Sequence, residues 1–87
     1  MLEKKITIKN ATGVHARPAS LLVKEATRFK SDCFLIKGDK EYNCRSIMSI
    51  MGMGARQGDE VILKVLGEDE KEAFEAISDL IERGFDE

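Results

Sequence analysis

Apolar and polar residues alternate near the start of the chain, where Ile6 and Ile8 fall between Lys5, Thr7 and Lys9. That period of two predicts a strand with one wet face, over residues 2–9. The alternation stops at Asn10-Ala11-Thr12-Gly13-Val14, whose Asn, Thr and Gly favour a loop. From Ala16 the period lengthens, and Ala19, Leu22, Val23 and Ala26, followed by Phe29, form one stripe at helical spacing. Pro18 would break a helix interior but is tolerated in a first turn, where its missing N–H has no intrahelical partner. A helix beginning just before Pro18 follows.

Cys33-Phe34-Leu35-Ile36 reads as a strand, Gly38-Asp39 as a turn and Glu41-Tyr42-Asn43-Cys44 as the returning strand. With Gly38 and Asp39 at the turn centre, Ile36 faces Glu41 and Cys33 faces Cys44. Ser46 is placed to cap a short helix containing Ile47, Met48, Ile50 and Met51, which ends in the Gly52-Met53-Gly54 region. Gly58-Asp59 turns the chain into the apolar run Glu60–Leu66, and Ala73, Phe74, Ile77, Leu80 and Ile81 then mark a last amphipathic helix. Acidic residues in and before its first turn suit the positive end of the helix dipole. The expected order is strand, helix, strand, strand, short helix, strand, helix. Strands at 2–9, 32–37, 40–44 and 60–66 make one sheet, covered on one side by three helices and wet on the other. Residues 1–87 suffice for one domain and are too few for two cores.

Composition narrows the function. Hydrophobic residues are 43% of the chain and charged residues 34%, with one proline, so the chain has enough apolar surface to fold. The net charge is -2, yet Lys4, Lys5, Lys9, Arg17, Lys24, Arg28 and Lys30 precede an acidic run at Glu68, Asp69, Glu70 and Glu72 and the acids Asp86 and Glu87. Such asymmetry points to a basic face turned toward an acidic protein and away from general nucleic-acid binding. A solvated mixed surface is the plainer reading. No secretory signal or membrane-length apolar run is present, which makes a cytoplasmic location the default and membrane binding unexpected. Cys33 and Cys44 are too few for a metal cluster or a disulfide scaffold and are expected as buried free thiols.

His15 is the only histidine. It follows a Thr-Gly loop and precedes the expected first helix, where free backbone N–H groups and the helix dipole suit phosphate oxygens. Arg17, two residues on, can direct a planar guanidinium at the same group. A neutral imidazole nitrogen is a nucleophile, and its phosphoramidate is a better phosphoryl donor than a serine ester. No Ser-His-Asp order or acidic metal cluster stands nearby to activate water, which disfavours a hydrolase. The residues alone therefore indicate a phosphoryl carrier on His15, with a structural or idle histidine as the alternative.

The segment Gly13-Val14-His15-Ala16-Arg17-Pro18-Ala19 resembles the active-site motif of HPr, the histidine-containing phosphocarrier family of the bacterial phosphoenolpyruvate-dependent sugar phosphotransferase system. Ser46-Ile47-Met48-Ser49-Ile50-Met51 resembles that family's regulatory serine region, and the likeness covers nearly the whole chain. The resemblance implies an α+β open-faced β-sandwich, with four antiparallel strands and three helices on one face. It implies that His15 takes phosphate on Nδ1 from enzyme I and passes it to the IIA domains of sugar permeases, that Arg17 assists, and that no cofactor or metal is required. Such a protein is a substrate of phosphotransferases and has no turnover of its own.

By the same resemblance Ser46 is a target of HPr kinase/phosphorylase, against its plainer role as a helix cap. Ile47, Met48 and Met51 resemble a partner-docking patch, although their spacing alone is more often that of core residues, and the helix can divide them between core and surface. Thr12 and Ala16 flank the histidine, and Lys24 and Arg45 are basic positions suited to steering acidic partners. Thr12 reads equally as a turn residue. Cys44-Arg45 and Gly52-Met53 depart from the commoner family pattern and bear on partner preference. The alternative function is regulatory binding to a catabolite control protein through Ser46. The related regulatory protein Crh lacks the active histidine, so His15 favours a carrier.

Overall fold

Ile6, Val61, Leu63 and Leu35 point the same way across three neighbouring strands, as period-two alternation requires, and all four are buried. A computed structural model describes residues 1–87. Its elements are β1 (Leu2–Thr7), α1 (Ala16–Thr27), β2 (Asp32–Lys37), β3 (Lys40–Asn43), α2 (Ile47–Gly52), β4 (Glu60–Leu66) and α3 (Glu70–Glu82). The strands form one antiparallel sheet in the order β1-β4-β2-β3. The three helices lie on one face, so the fold is an α+β open-faced β-sandwich. Phe34, Ile36, Ile62 and Lys64 remain partly exposed on the other face. No helix is long and apolar enough to cross a membrane.

The helical stripes supply the other half of the core. Ala19, Leu22 and Ala26 of α1 and Ala73, Ile77, Leu80 and Ile81 of α3 are buried against the sheet, while Val23, Phe29 and Phe74 lie at the margin. Helices of 12 and 13 residues are marginal alone in water, so this packing holds them. Pro18 occupies the first turn of α1, as expected. The Asp69 carboxylate, before α3, accepts from Ser31 Oγ (2.6 Å), Ser31 N–H (2.9 Å) and Lys30 N–H (3.0 Å), fastening α3 to the turn after α1. The Ser31 hydroxyl above all, then the Lys30 N–H, lowers its pKa to about 2.

Two strand limits differ from the sequence pattern. β1 ends at Thr7 instead of residue 9, because Ile8 exchanges backbone hydrogen bonds with the turn before β4: its N–H goes to Asp59 and its carbonyl accepts from Gly58, both at 2.8 Å. Ile8 is nevertheless buried. β3 ends at Asn43 instead of 44, although the Cys44 N–H still reaches the Cys33 carbonyl at 3.0 Å. The hairpin register is the expected one, with Ile36 opposite Glu41 around Lys37 and Lys40.

The two helices nearest the loop after β1 run in opposite directions. Arg45, just before α2, donates from Nη2 to the carbonyls of Phe29 and Ser31 beyond the end of α1. After α2, the Ala55 carbonyl accepts from Val14 N–H at 3.0 Å, just before α1. The start of α1 therefore lies by the end of α2.

Candidate functional site

His15 is the N-cap residue of α1, with extended backbone and no side-chain cap hydrogen bond. The first intrahelical bond runs from Ala19 N–H to the His15 carbonyl at 2.9 Å. Pro18 has no N–H, and those of Ala16 and Arg17 have no partner within the protein. Two free donors and the positive end of a three-turn helix thus face solvent beside the imidazole. The His15 side chain is 48% exposed and that of Arg17 is 62% exposed, so an incoming group meets both from solvent.

The loop is shaped from beneath by Asn10. Its Nδ2 donates to the Gly13 carbonyl (2.6 Å) and to Thr12 Oγ1 (3.3 Å), while its buried Oδ1 has no partner. Gly13 turns with φ +67°, and Val14 is buried behind it. Thr12 therefore belongs to a hydrogen-bonded loop whose geometry fixes the approach to His15.

Glu87 completes the cluster from the segment after α3. Its Oε1 accepts from Thr12 Oγ1 (2.6 Å) and Asn10 Nδ2 (3.1 Å). Its Oε2 lies 3.7 Å from His15 Nε2 and 3.6 Å from Arg17 Nη1. The Thr12 hydroxyl, the Asn10 amide, and then the nearby His15 and Arg17 hold this carboxyl below the usual glutamate range. The acidic end of the chain is thus not segregated from the basic beginning, as the charge pattern suggested, but folded onto it.

Gly84 and Phe85 bring it there. Gly84 (φ +70°) ends α3 in a paired turn, with Gly84 N–H bonded to the Ile81 carbonyl (3.0 Å) and Phe85 N–H to the Leu80 carbonyl (2.9 Å). Phe85 and Asp86 keep positive φ, at 56° and 62°, and the Phe85 side chain is wholly buried. Neither Asn10 nor Glu87 stands out in the sequence as a site residue. The available signal is a helix-ending glycine followed by a large apolar residue, which marks a chain that folds back.

The remaining expected site residues are spread over the helical layer. Ala16 is exposed beside His15, and Lys24 lies exposed two turns along α1 from Arg17, roughly 10 Å away. Ser46 caps α2, its Oγ accepting from Ser49 N–H at 3.1 Å. On α2 the core takes only Ile50; Ile47 and Met51 are exposed and Met48 is 78% exposed. Arg45 stands at the far end of α1 from His15, its guanidinium committed to the two carbonyls and near Asp32. Its charge is thus built into the fold rather than free beside His15.

The chain is similar to known proteins along nearly its whole length. Residues 2–83 match the family model described as the HPr component phosphorylation site of the phosphotransferase system. The chain is 42% identical to phosphocarrier protein HPr of Treponema pallidum (strain Nichols), covering 100% of this chain and 99% of that protein. It is 46% identical to the HPr-like protein Crh of Bacillus subtilis (strain 168), over 90% of this chain and 92% of that one. The crystal structure of HPr-C-His from Thermoanaerobacter tengcongensis superposes with a TM-score of 0.95 at 49% identity, covering 100% of this chain and 98% of that one.

Proposed function

Since the chain belongs to the HPr family of phosphocarrier proteins, we propose that His15 is its phosphoryl acceptor and donor, with Arg17 as the stabilising cation. The supporting observation is the solvent-facing imidazole at the start of α1, beside the unpartnered Ala16 and Arg17 N–H groups. The His15 Nδ1 lone pair attacks phosphorus on phosphorylated enzyme I. A nitrogen–phosphorus bond forms as the donor bond breaks, and the donor atom keeps its electron pair. The reverse logic delivers the group to a IIA domain. Arg17 and the helix donors spread the negative charge during each passage, and the exposed site lets the product leave. Residues 1–87 act as one cytoplasmic carrier domain without metal or cofactor.

Partners dock on Thr12, Ala16, Arg17 and Lys24 together with Ile47, Met48 and Met51. Two adaptable methionines beside Ile47, all exposed around the single buried anchor Ile50, suit one surface that meets several proteins. Arg45 contributes by fixing the start of α2. The deciding experiment is phosphoryl transfer from phosphoenolpyruvate through enzyme I to the wild-type chain and to His15→Ala. Transfer disappears in the variant; transfer that persists refutes the assignment.

The Crh relatives and the capping geometry favour a second, compatible role in regulation. HPr kinase/phosphorylase modifies Ser46, whose oxygen already faces the Ser49 N–H. A phosphate there keeps favourable company with the helix start while repelling acidic partner surfaces, and it marks the protein for a catabolite control protein. Treatment with the kinase and its phosphoryl donor adds one phosphate by intact mass, and Ser46→Ala abolishes the addition. An unchanged wild-type mass refutes this role.

A further inference from the structure

We propose that Glu87 is a positioning residue that keeps the proton of the neutral His15 ring on Nε2 and thereby leaves Nδ1 as the nucleophile. This deepens the carrier reading and rests on it for its role in transfer. The carboxylate is divided between two tasks. Oε1 is anchored by Thr12 and Asn10 at 2.6 and 3.1 Å, while Oε2 is turned between His15 Nε2 (3.7 Å) and Arg17 Nη1 (3.6 Å). A neutral imidazole has one N–H and one lone pair, and the partner of one nitrogen decides the state of the other. An anion beside Nε2 favours the N–H there and disfavours a lone pair. The opposite nitrogen is then the one free to attack phosphorus. The same oxygen holds the Arg17 guanidinium beside the ring until phosphoryl oxygens compete for it.

The backbone supplies an independent observation. Phe85 and Asp86 both occupy the left-handed region, at φ 56° and 62°, a conformation that side chains disfavour. Burial of the whole Phe85 ring, which removes its apolar surface from water, offsets this. Asp86 is further held by Arg83, whose Nε donates to its carboxylate at 2.9 Å. The chain thus adopts an unfavourable course that ends with the Glu87 carboxylate on the loop and the ring. Its side chain retains only 19% exposure, so it is a fixture of the site and not a passing surface charge.

The test uses the full chain labelled with 15N-histidine. Nitrogen chemical shifts of the neutral ring report the tautomer directly, without a phosphoryl donor. In the wild type the Nε2–H form predominates; in the isosteric Glu87→Gln and in Glu87→Ala the ratio of the two tautomers falls about two- to fivefold, the range expected for a partly exposed ionic contact. The rate of phosphorylation by enzyme I falls in proportion. A tautomer ratio equal in wild type and both variants overturns the proposal, as does a wild-type ring protonated on Nδ1. If the ratio shifts but no chain is phosphorylated, the positioning of the proton stands and the carrier reading fails.

Discussion

Gly13 lies so close to Ala55 that a Cβ on the glycine would sit 2.6 Å from the Ala55 carbonyl oxygen, the oxygen that accepts the Val14 N–H. Both the contact and the positive φ of +67° exclude a side chain there. Gly13→Ala must push the His15 loop away from the end of α2. The expected cost is roughly 2–4 kcal/mol, from backbone strain and overpacking together. It is read as a lower urea midpoint accompanied by slower phosphorylation.

Leu22 and Ile77 are both fully buried between helices and sheet. Leu22→Ala or Ile77→Ala is expected to lose about 2–5 kcal/mol, the cost of lost burial plus the cavity left behind. A denaturation midpoint unmoved by either change would contradict the two-layer core.

Removing the Ser46 hydroxyl leaves the Ser49 N–H at the start of α2 without its acceptor. Ser46→Ala should therefore lower stability by about 1 kcal/mol. Ser46→Asp, which keeps an oxygen at the cap, should retain most of that stability in the same melting experiment.

The Asp69 carboxyl has a folded-state pKa of about 2, below the usual value of about 4 for an unfolded aspartate. Protons therefore bind the unfolded chain more readily, and the stabilisation from Asp69 is complete above pH ~4 and is lost as pH falls toward ~2. Asp69→Asn should flatten the slope of stability against pH in that window, measured by thermal unfolding in a buffer series. An unchanged slope would remove Asp69 as its source.

Cys33 and Cys44 are buried with Sγ atoms 2.7 Å apart across the hairpin. Burial first, then the hydrogen bond with Cys33, pushes the Cys44 thiol well above its ordinary range, which keeps it from the reactive thiolate form. Under reducing conditions a thiol reagent should find neither group until the protein unfolds, and then both. Rapid labelling of the folded chain would contradict this.

The elements were legible where one period ran uninterrupted: the stripes of α1 and α3, the Gly38-Asp39 hairpin and the long β4 each follow from local spacing. Strand order was not, because β1 pairs with β4 through contacts between residues some fifty to sixty positions apart. His15, Arg17 and the Ser46 cap announce themselves by residue type next to a helix start. Glu87 does not, since its place depends on the left-handed course of Phe85 and Asp86 and on burial of a ring that the helical period leaves out. Likewise Arg45 reads in sequence as a free charge, and only the antiparallel passage of α1 and α2 brings the Phe29 and Ser31 carbonyls within its reach.

That passage has a consequence for signalling. The two phosphoryl groups proposed above, one on the His15 ring and one on the Ser46 hydroxyl, would stand at opposite ends of α2, because the start of α1 lies by the end of that helix. A visiting protein broad enough to span α2 would then meet both, and under that proposal its choice can depend on the combination.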